Sequence, residues 1–335
     1  MQKYYFNIRV VLFGSLIVFI SGVVLGYSLF KTQPASNADC PVDEIHAVSG
    51  TFISPLLQCD ISSPIGSKEF SAFEQQISEA IDRYTASGKA THIAVYFRHL
   101  LDGAWFGINE KVQFTPASLL KVPVLIAVLK QADSDPDLLR EKLIYDQIFD
   151  PVKPYFMSKE QLEIGKTYTI EDLVSRMIKY SDNESMYLVR KRFDASFIDT
   201  LYRDLKLIPP DDTYFNDSMR IKDYASFFRI LFNATYLSPS SSTKALELLS
   251  TIEFDQGISA QLPPGITVAH KFGERTYTDD NSKQLHDCGI IYYPGNPYLL
   301  CIMTKGSDFD TLASVIREIS KTIFQEVQSR SKELR

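Results

Sequence analysis

Cysteine is scarce in this chain, and no Cys-x-x-Cys pair occurs, so a zinc or dithiol redox site has no support. Histidine is scarce too. His46, His92, His99, His270 and His286 form no Ser/His/Asp arrangement, which removes the usual base of a serine hydrolase. No internal repeat and no low-complexity tract is present. A basic excess is also missing. Net charge is −6, and taking away the +3 of residues 1–31 (Lys3, Arg9, Lys31, no acid) leaves −9 for the rest. An acidic body argues against a nucleic-acid partner. What is there is ordinary globular material: 45% of the 335 residues are hydrophobic and 23% charged, enough for one large domain or two modest ones.

Charge is absent altogether from Val10 to Phe30, a run of 21 residues that is apolar except for Ser15, Ser21, Tyr27 and Ser28. That length crosses a bilayer. Lys3 and Arg9 precede it, which sets the expectation of a cytoplasmic N-terminus and a body outside, at the cell surface or in the periplasm. The run reads as an uncleaved anchor over residues 1–31; the alternative is a cleaved signal peptide, which has a shorter apolar region and a small-residue cleavage site. Residues 32–68 read as an extracytoplasmic tether with some structure. Its stretch from Thr51 to Cys59 is apolar enough to pack on the domain. Cys40 and Cys59 share this segment, and a disulfide between them is permitted outside the cell. Cys288 and Cys301 flank a hairpin turn and read as buried free thiols.

From residue 69 onward the periodicities alternate. Phe70, Phe73, Ile77, Ala80, Ile81 and Tyr84 make a helical stripe. His92–Arg98 and Ala104–Ile108 are strands about Asp102-Gly103. Ser118–Ala132 is an apolar helix. Thr169 caps a further helix with acids in its first turn, and Arg220–Phe232 and Ser242–Leu249 are also helical. Thr267–Phe272 is a strand, Cys288–Tyr293 and Pro297–Thr304 form a hairpin, and Leu312–Val327 is a last helix. Strands at both ends with helices between predict an α+β fold: an antiparallel sheet built from both ends of the domain, flanking helices, and an all-helical subdomain over about 118–250 within a domain spanning 69–335.

The chemistry concentrates at Ser118-Leu119-Leu120-Lys121. Residues at i and i+3 share a helix face, so the Lys121 amine lies beside the Ser118 hydroxyl. A hydroxyl is a poor nucleophile until a base removes its proton, and a lysine is a base only when uncharged. Burial would push the Lys121 pKa down, and a second cation such as Lys271 would do the same if it lay nearby. Downstream stand Ser181-Asp182-Asn183 and Lys271-Phe272-Gly273, 63 and then 90 residues further on.

These three ordered motifs, together with Lys179–Ser185 and His286–Pro294, resemble the class A β-lactamases and penicillin-binding proteins over residues 69–330. The resemblance implies a β-lactamase/transpeptidase-like fold and a cofactor-free, metal-free serine hydrolase that forms an acyl-enzyme. Its substrate would be a β-lactam or a peptidoglycan-type peptide. It implies Ser118 as nucleophile, Lys121 as base and Ser181 as proton relay to the leaving amine. Asn183 would hold the substrate amide carbonyl, and Lys271 its carboxylate. The strand at Gly273 and Glu274 would line the site, with the main-chain N–H groups of Ser118 and Glu274 as an oxyanion hole. Asp182 would brace its loop.

Two departures stand out. Phe272 replaces the hydroxyl residue usual in the third motif, which removes a donor to the substrate carboxylate. The 37 residues from Asn183 to Arg220 contain no Glu-x-x-Leu-Asn, and Asp211, Asp212 and Asp217 are the acids near the place where the deacylating glutamate is expected. Acylation therefore reads as intact and fast deacylation as missing. That leaves a β-lactamase-type hydrolase, a D-alanyl-D-alanine peptidase-like enzyme with slow deacylation, or a catalytically idle wall-binding module.

Overall fold

A computed structural model describes residues 45–46, 50–58, 70–150, 153–156, 160–193, 196–207 and 218–333. The expected anchor at 10–30, Cys40 and Cys59, and the acids Asp211, Asp212 and Asp217 lie outside these residues. Among the described residues no helix is long and apolar enough to cross a membrane. One compact unit runs from Val42 to Arg335, so it begins within the expected tether.

The elements in chain order are β1 (Ile45–His46), β2 (Leu56–Gln58), α1 (Ser71–Ala86), β3 (His92–His99), β4 (Trp105–Ile108), β5 (Gln113–Phe114), a 3-10 turn (Ala117–Leu120) and α2 (Lys121–Ala132). A second 3-10 turn (Leu138–Arg140) precedes β6 (Lys142–Ile144), β7 (Thr167–Thr169), α3 (Ile170–Lys179), α4 (Asn183–Arg192) and α5 (Ser196–Asp204). Then come β8 (Met219–Arg220), α6 (Ile221–Phe232), α7 (Pro239–Leu249), β9 (Val268–Thr276), β10 (Lys283–Ile291), β11 (Tyr298–Gly306) and α8 (Phe309–Glu333).

Five strands form one antiparallel sheet in the order β4-β3-β11-β10-β9, so strands from both ends of the chain meet at β3 and β11. The β10–β11 hairpin turns at Pro294-Gly295, where Gly295 takes φ 78°, a conformation that costs a side-chain-bearing residue. Both faces of the sheet are covered. Val95, Phe97, Phe272, Leu285 and Ile302 pack with the Phe73, Ile77 and Ile81 stripe of α1 and with Leu312, Ile316 and Ile319 of α8. On the other face Tyr96, Ala269, Ile290, Leu299 and Met303 pack against α2, α3, α6 and α7. Strands buried on two faces read as nearly continuous apolar runs rather than alternating ones.

Helix ends follow local chemistry. Thr169 caps α3 by accepting from Asp172 N at 3.1 Å. α8 starts earlier than its apolar stripe, because Asp308 accepts from Thr311 N at 2.8 Å. α2 is buried continuously from Lys121 to Leu129, which makes it the central helix of the helical part. The segment before the domain packs on it, as its apolar content suggested: Ser54 N donates to Phe232 O at 2.9 Å and Tyr292 Oη to Phe52 O at 3.0 Å.

One expectation is corrected. Cys288 and Cys301 are not free thiols; they are joined in a disulfide across β10 and β11. The register makes them directly opposed partners, with Cα atoms 4.0 Å apart. Each stands six residues from the Pro294-Gly295 pair, so hairpin symmetry was the available signal.

Candidate active site

Ser118 is delivered by a segment tied down on both sides. Thr115 N donates to Gln284 Oε1 at 3.0 Å, and His286 Nε2 donates to Thr115 O at 3.0 Å. His286 is fully buried, and burial lowers its pKa to about 4. It is therefore the neutral tautomer, whose Nδ1 accepts from Thr304 N at 3.3 Å. Tyr224 of α6 donates to Leu119 O at 3.1 Å. Residues 117–120 form a 3-10 turn rather than the first turn of the expected α-helix, and Ala117 takes φ 50°. Side chains at i and i+3 eclipse in a 3-10 turn, which brings Ser118 and Lys121 face to face.

The strand β9 passes close beside this turn. A Cβ on Gly273 would stand 2.7 Å from Pro116 O and 3.1 Å from Leu119 N, so any larger residue would push β9 off the nucleophile. Tyr277 N donates to Ser282 O, and Tyr292 N to Thr267 O, in unbroken register with β10. Odd-numbered residues of β9 thus pair with β10, and Phe272 and Glu274 turn their main-chain groups to the open sheet edge.

The second motif sits where β-type backbone changes to helix. Asp182 caps α4, accepting from Glu184 N at 3.2 Å, Ser185 N at 3.1 Å and the Ser185 hydroxyl. Ser181 just before it takes φ 55°, a strained choice for a serine. That conformation directs Ser181 Oγ to Lys271 Nζ at 2.9 Å, with Lys121 Nζ at 3.4 Å.

Lys121 is fully buried with three close oxygens: Asn183 Oδ1 at 2.6 Å, Ser118 Oγ at 2.7 Å and Ser181 O at 2.9 Å. Two of these, the amide and main-chain oxygens, can only accept. When protonated the amine donates to all three; when neutral it has two N–H groups for the two acceptor-only oxygens and a lone pair free to accept from the Ser118 hydroxyl. Burial is the main reason that the Lys121 pKa falls to about 7, and Asp182, Glu274 and Asp150 pull it partly back up. Lys271 is also fully buried, and burial followed by the neighbouring Lys121 holds it well below the usual lysine value. Its amine reaches Ser181 Oγ at 2.9 Å and Phe272 O at 2.8 Å.

Two groups escaped the sequence reading. Asp150 Oδ2 accepts from Asn183 Nδ2 at 2.8 Å, which fixes the orientation of that amide toward Lys121. Glu184, directly after the second motif, holds the loop that carries Asp150: it accepts from Tyr145 Oη at 2.8 Å, Phe149 N at 2.9 Å and Asp150 N at 2.6 Å. The position of Glu184 after the motif was a usable signal; Asp150 lies in a stretch without periodicity and offered none. Glu274 matters through its side chain as well as its backbone. Its carboxylate is largely buried and accepts from Phe156 N at 3.2 Å. Burial raises its pKa, against the N–H groups of Phe156 and Tyr155 and both lysines. Phe272 turns away from Lys121 into the α1/α8 core, stacked on Phe254 at 4.1 Å between centroids. His270 likewise faces away and bonds Asp287 at 2.9 Å.

With the site assembled, the comparisons decide the lineage. A family model for the "Beta-lactamase enzyme family" matches residues 72–327, most of the chain. The chain belongs to that family. Among curated relatives, the beta-lactamase VEB-1 of Pseudomonas aeruginosa is 23% identical over 209 residues, 56% of this chain and 68% of that protein. A beta-lactamase from Chitinophaga pinensis superposes with TM-score 0.67 at 18% identity, over 77% of this chain and all of its own. A mutant of PBP-A, solved as an acyl-enzyme with penicillin G, superposes with TM-score 0.63 at 22% identity, over 77% of this chain and 97% of its own. These structures share the α+β fold, with its antiparallel sheet and helical part, that element order suggested. Within the family frame, Phe272 is a core residue here rather than a wall of the cleft.

Proposed function

We propose that the protein is a serine hydrolase in which Ser118 attacks the carbonyl of a β-lactam or related amide and holds the acyl group as an ester. The observation that carries this reading is the 2.7 Å contact between Ser118 Oγ and a buried Lys121 amine whose other two close partners only accept. Neutral Lys121 takes the Ser118 proton as the Oγ–carbon bond forms. The oxyanion is received by the main-chain N–H groups of Ser118 and Glu274, the latter at the open edge of β9. Ser181, held at 2.9 Å by Lys271, passes a proton to the leaving nitrogen as the amide bond breaks. The proton that Lys121 gained replaces the one Ser181 gave, so the step balances. Asn183 keeps one Nδ2 hydrogen beyond its bond to Asp150 and offers it to the acyl-side carbonyl.

Hydrolysis of the ester is the slow step in this reading, because the stretch where a deacylating glutamate is expected carries aspartates instead. Slow deacylation is the behaviour of a D-alanyl-D-alanine peptidase-like enzyme trapped by a β-lactam. The uncharged run at 10–30 would hold the domain on the outer face of a membrane as a single-pass anchor. A fluorescent penicillin tests the chemistry. Labelling of the wild type and none of Ser118→Ala is the expected result; intact-mass spectrometry after a β-lactam pulse then gives the adduct lifetime. Labelling that survives Ser118→Ala removes the nucleophile assignment, and no labelling of the wild type supports the idle module. A carbonate wash of membranes from cells making the full chain tests the anchor, with retention expected.

A further inference from the structure

A short stretch of chain is tied to both walls of the site. Its near tie is Asp150, whose Oδ2 accepts from Asn183 Nδ2 at 2.8 Å, while Glu184 accepts from Phe149 N at 2.9 Å and Asp150 N at 2.6 Å. Its far tie is Phe156, whose N donates to the two carboxylate oxygens of Glu274 at 3.2 and 3.4 Å. Asn183 is bonded to Lys121, and Glu274 follows Gly273, where β9 presses on the nucleophile turn. The chain between Asp150 and Phe156 can span at most about 20 Å even when extended.

The two ties belong to opposite faces of the sheet. Asn183 opens α4, which packs with α2 in one core. Phe156 packs in the other, against Phe254 at 4.9 Å, Phe309 at 5.9 Å and Phe272 at 6.1 Å between centroids. β9 is the last strand of the sheet, so Lys153–Phe156 reaches this cluster around its outer edge. In the acylation reading, Asn183 holds the acyl-side carbonyl and the Glu274 N–H the oxyanion, so the acyl half of a substrate lies between the residues to which the stretch is tied. The far tie is the looser one. Phe156 is half-buried, and Tyr155 beside it is 53% exposed, held by the Phe309 ring at 4.9 Å and by its Oη donating to Asp310 at 3.1 Å. Phe272 forms part of the floor on which Phe156 rests, a role that a hydroxyl residue at 272 would not fill.

We propose that Lys153–Phe156 is a strap over the acyl side of the cleft, and that Phe156 docked on Phe272 makes the site select acyl donors with a short acyl-side group. This rests on the serine-acylation reading above and adds to it the size of the acyl group that the site takes. A long group is accepted only by molecules in which Phe156 is undocked, so its apparent rate is scaled by that fraction. A short group passes beneath the strap and is not scaled.

Two compounds with one bicyclic nucleus test the strap: 6-aminopenicillanic acid, whose acyl side is a bare amine, and a penicillin carrying a dye on its acyl side chain. Second-order acylation rates of the full-length protein are read by intact-mass spectrometry, and the dye-bearing rate is divided by the bare-amine rate. Phe156→Ala is expected to raise this ratio about tenfold over wild type, because the undocked fraction grows. Phe156→Leu keeps an apolar group on the cluster and is expected to stay within about threefold of wild type. The ratio is taken within one preparation, so a partly folded variant lowers both rates and leaves it readable. If Phe156→Ala does not fold, Tyr155→Ala, at an exposed position of the same cluster, is read in its place with the same expected direction. A ratio that Phe156→Ala leaves unmoved or lowers, or that Phe156→Leu raises as far, overturns the strap and leaves the acylation reading intact. No adduct above that of Ser118→Ala from either compound, in wild type and variants alike, overturns both.

Discussion

Lys121 is a base only in its uncharged form, and its pKa near 7 comes from burial, opposed by Asp182, Glu274 and Asp150. Below that value the amine is protonated, and the lone pair that Ser118 needs is gone. Above it the amine is neutral and the rate stops rising. Acylation by a fluorescent penicillin, measured from about pH 5 to about pH 9, is expected to fall roughly tenfold per unit below about 7 and level off above it. A profile that is flat through that window would assign the proton to another acceptor. Lys121→Arg keeps a cation but supplies no lone pair at any accessible pH, so its acylation rate is expected to drop by about a thousandfold or more, read by the same labelling. Sequence spacing placed Lys121 beside Ser118; its two acceptor-only neighbours come from residues 60 and 62 positions away, which no local pattern reveals.

At the level of elements, the second motif works as the start of a helix. Asp182 caps α4 through Glu184 N and Ser185 N, and the same turn sets the φ 55° of Ser181 and the direction of Asn183. Asp182→Ala is expected to cost about 1–2 kcal/mol, while Asp182→Asn, still a good cap, is expected to cost under about 1 kcal/mol. Urea unfolding compares the two; equal losses would mean that the carboxylate charge, and not the cap, is what the fold uses. α1, α3 and α6 were legible because their apolar stripes, and for α3 the Thr169 cap, are local. The 3-10 turn at 117–120 was not, because the apolar periodicity runs through it into α2 without a break. It is the fit of Gly273 against Pro116 and Leu119, made across more than 150 residues, that goes with the tighter turn.

Across the whole molecule, the sheet divides two cores, and Phe272 belongs to the one on the side of α1 and α8. It stacks on Phe254 and meets Phe156 edge-on at 6.1 Å. Replacing it with the hydroxyl residue usual in the family would open a cavity under β9. Phe272→Thr is expected to lower stability by about 3 kcal/mol in urea unfolding, and a loss below about 1 kcal/mol would show that the aromatic stack contributes little. The family hydroxyl is thus no isolated exchange here: Phe254, Phe156 and Phe309 form one aromatic cluster around position 272.

By itself the sequence determined the kind of fold, the order of its elements and the three motifs, since periodicity, caps and short spacings are local and need no partner. Only the tertiary structure decided which groups are charged and where they point. Desolvation of Lys121 and Lys271, the face taken by Phe272, the pairing of Cys288 with Cys301, and the arrival of Asp150 and Glu274 beside the nucleophile all depend on segments far apart in the chain being packed together. Burial and register are properties of that packing, and no stretch of the chain carries them alone.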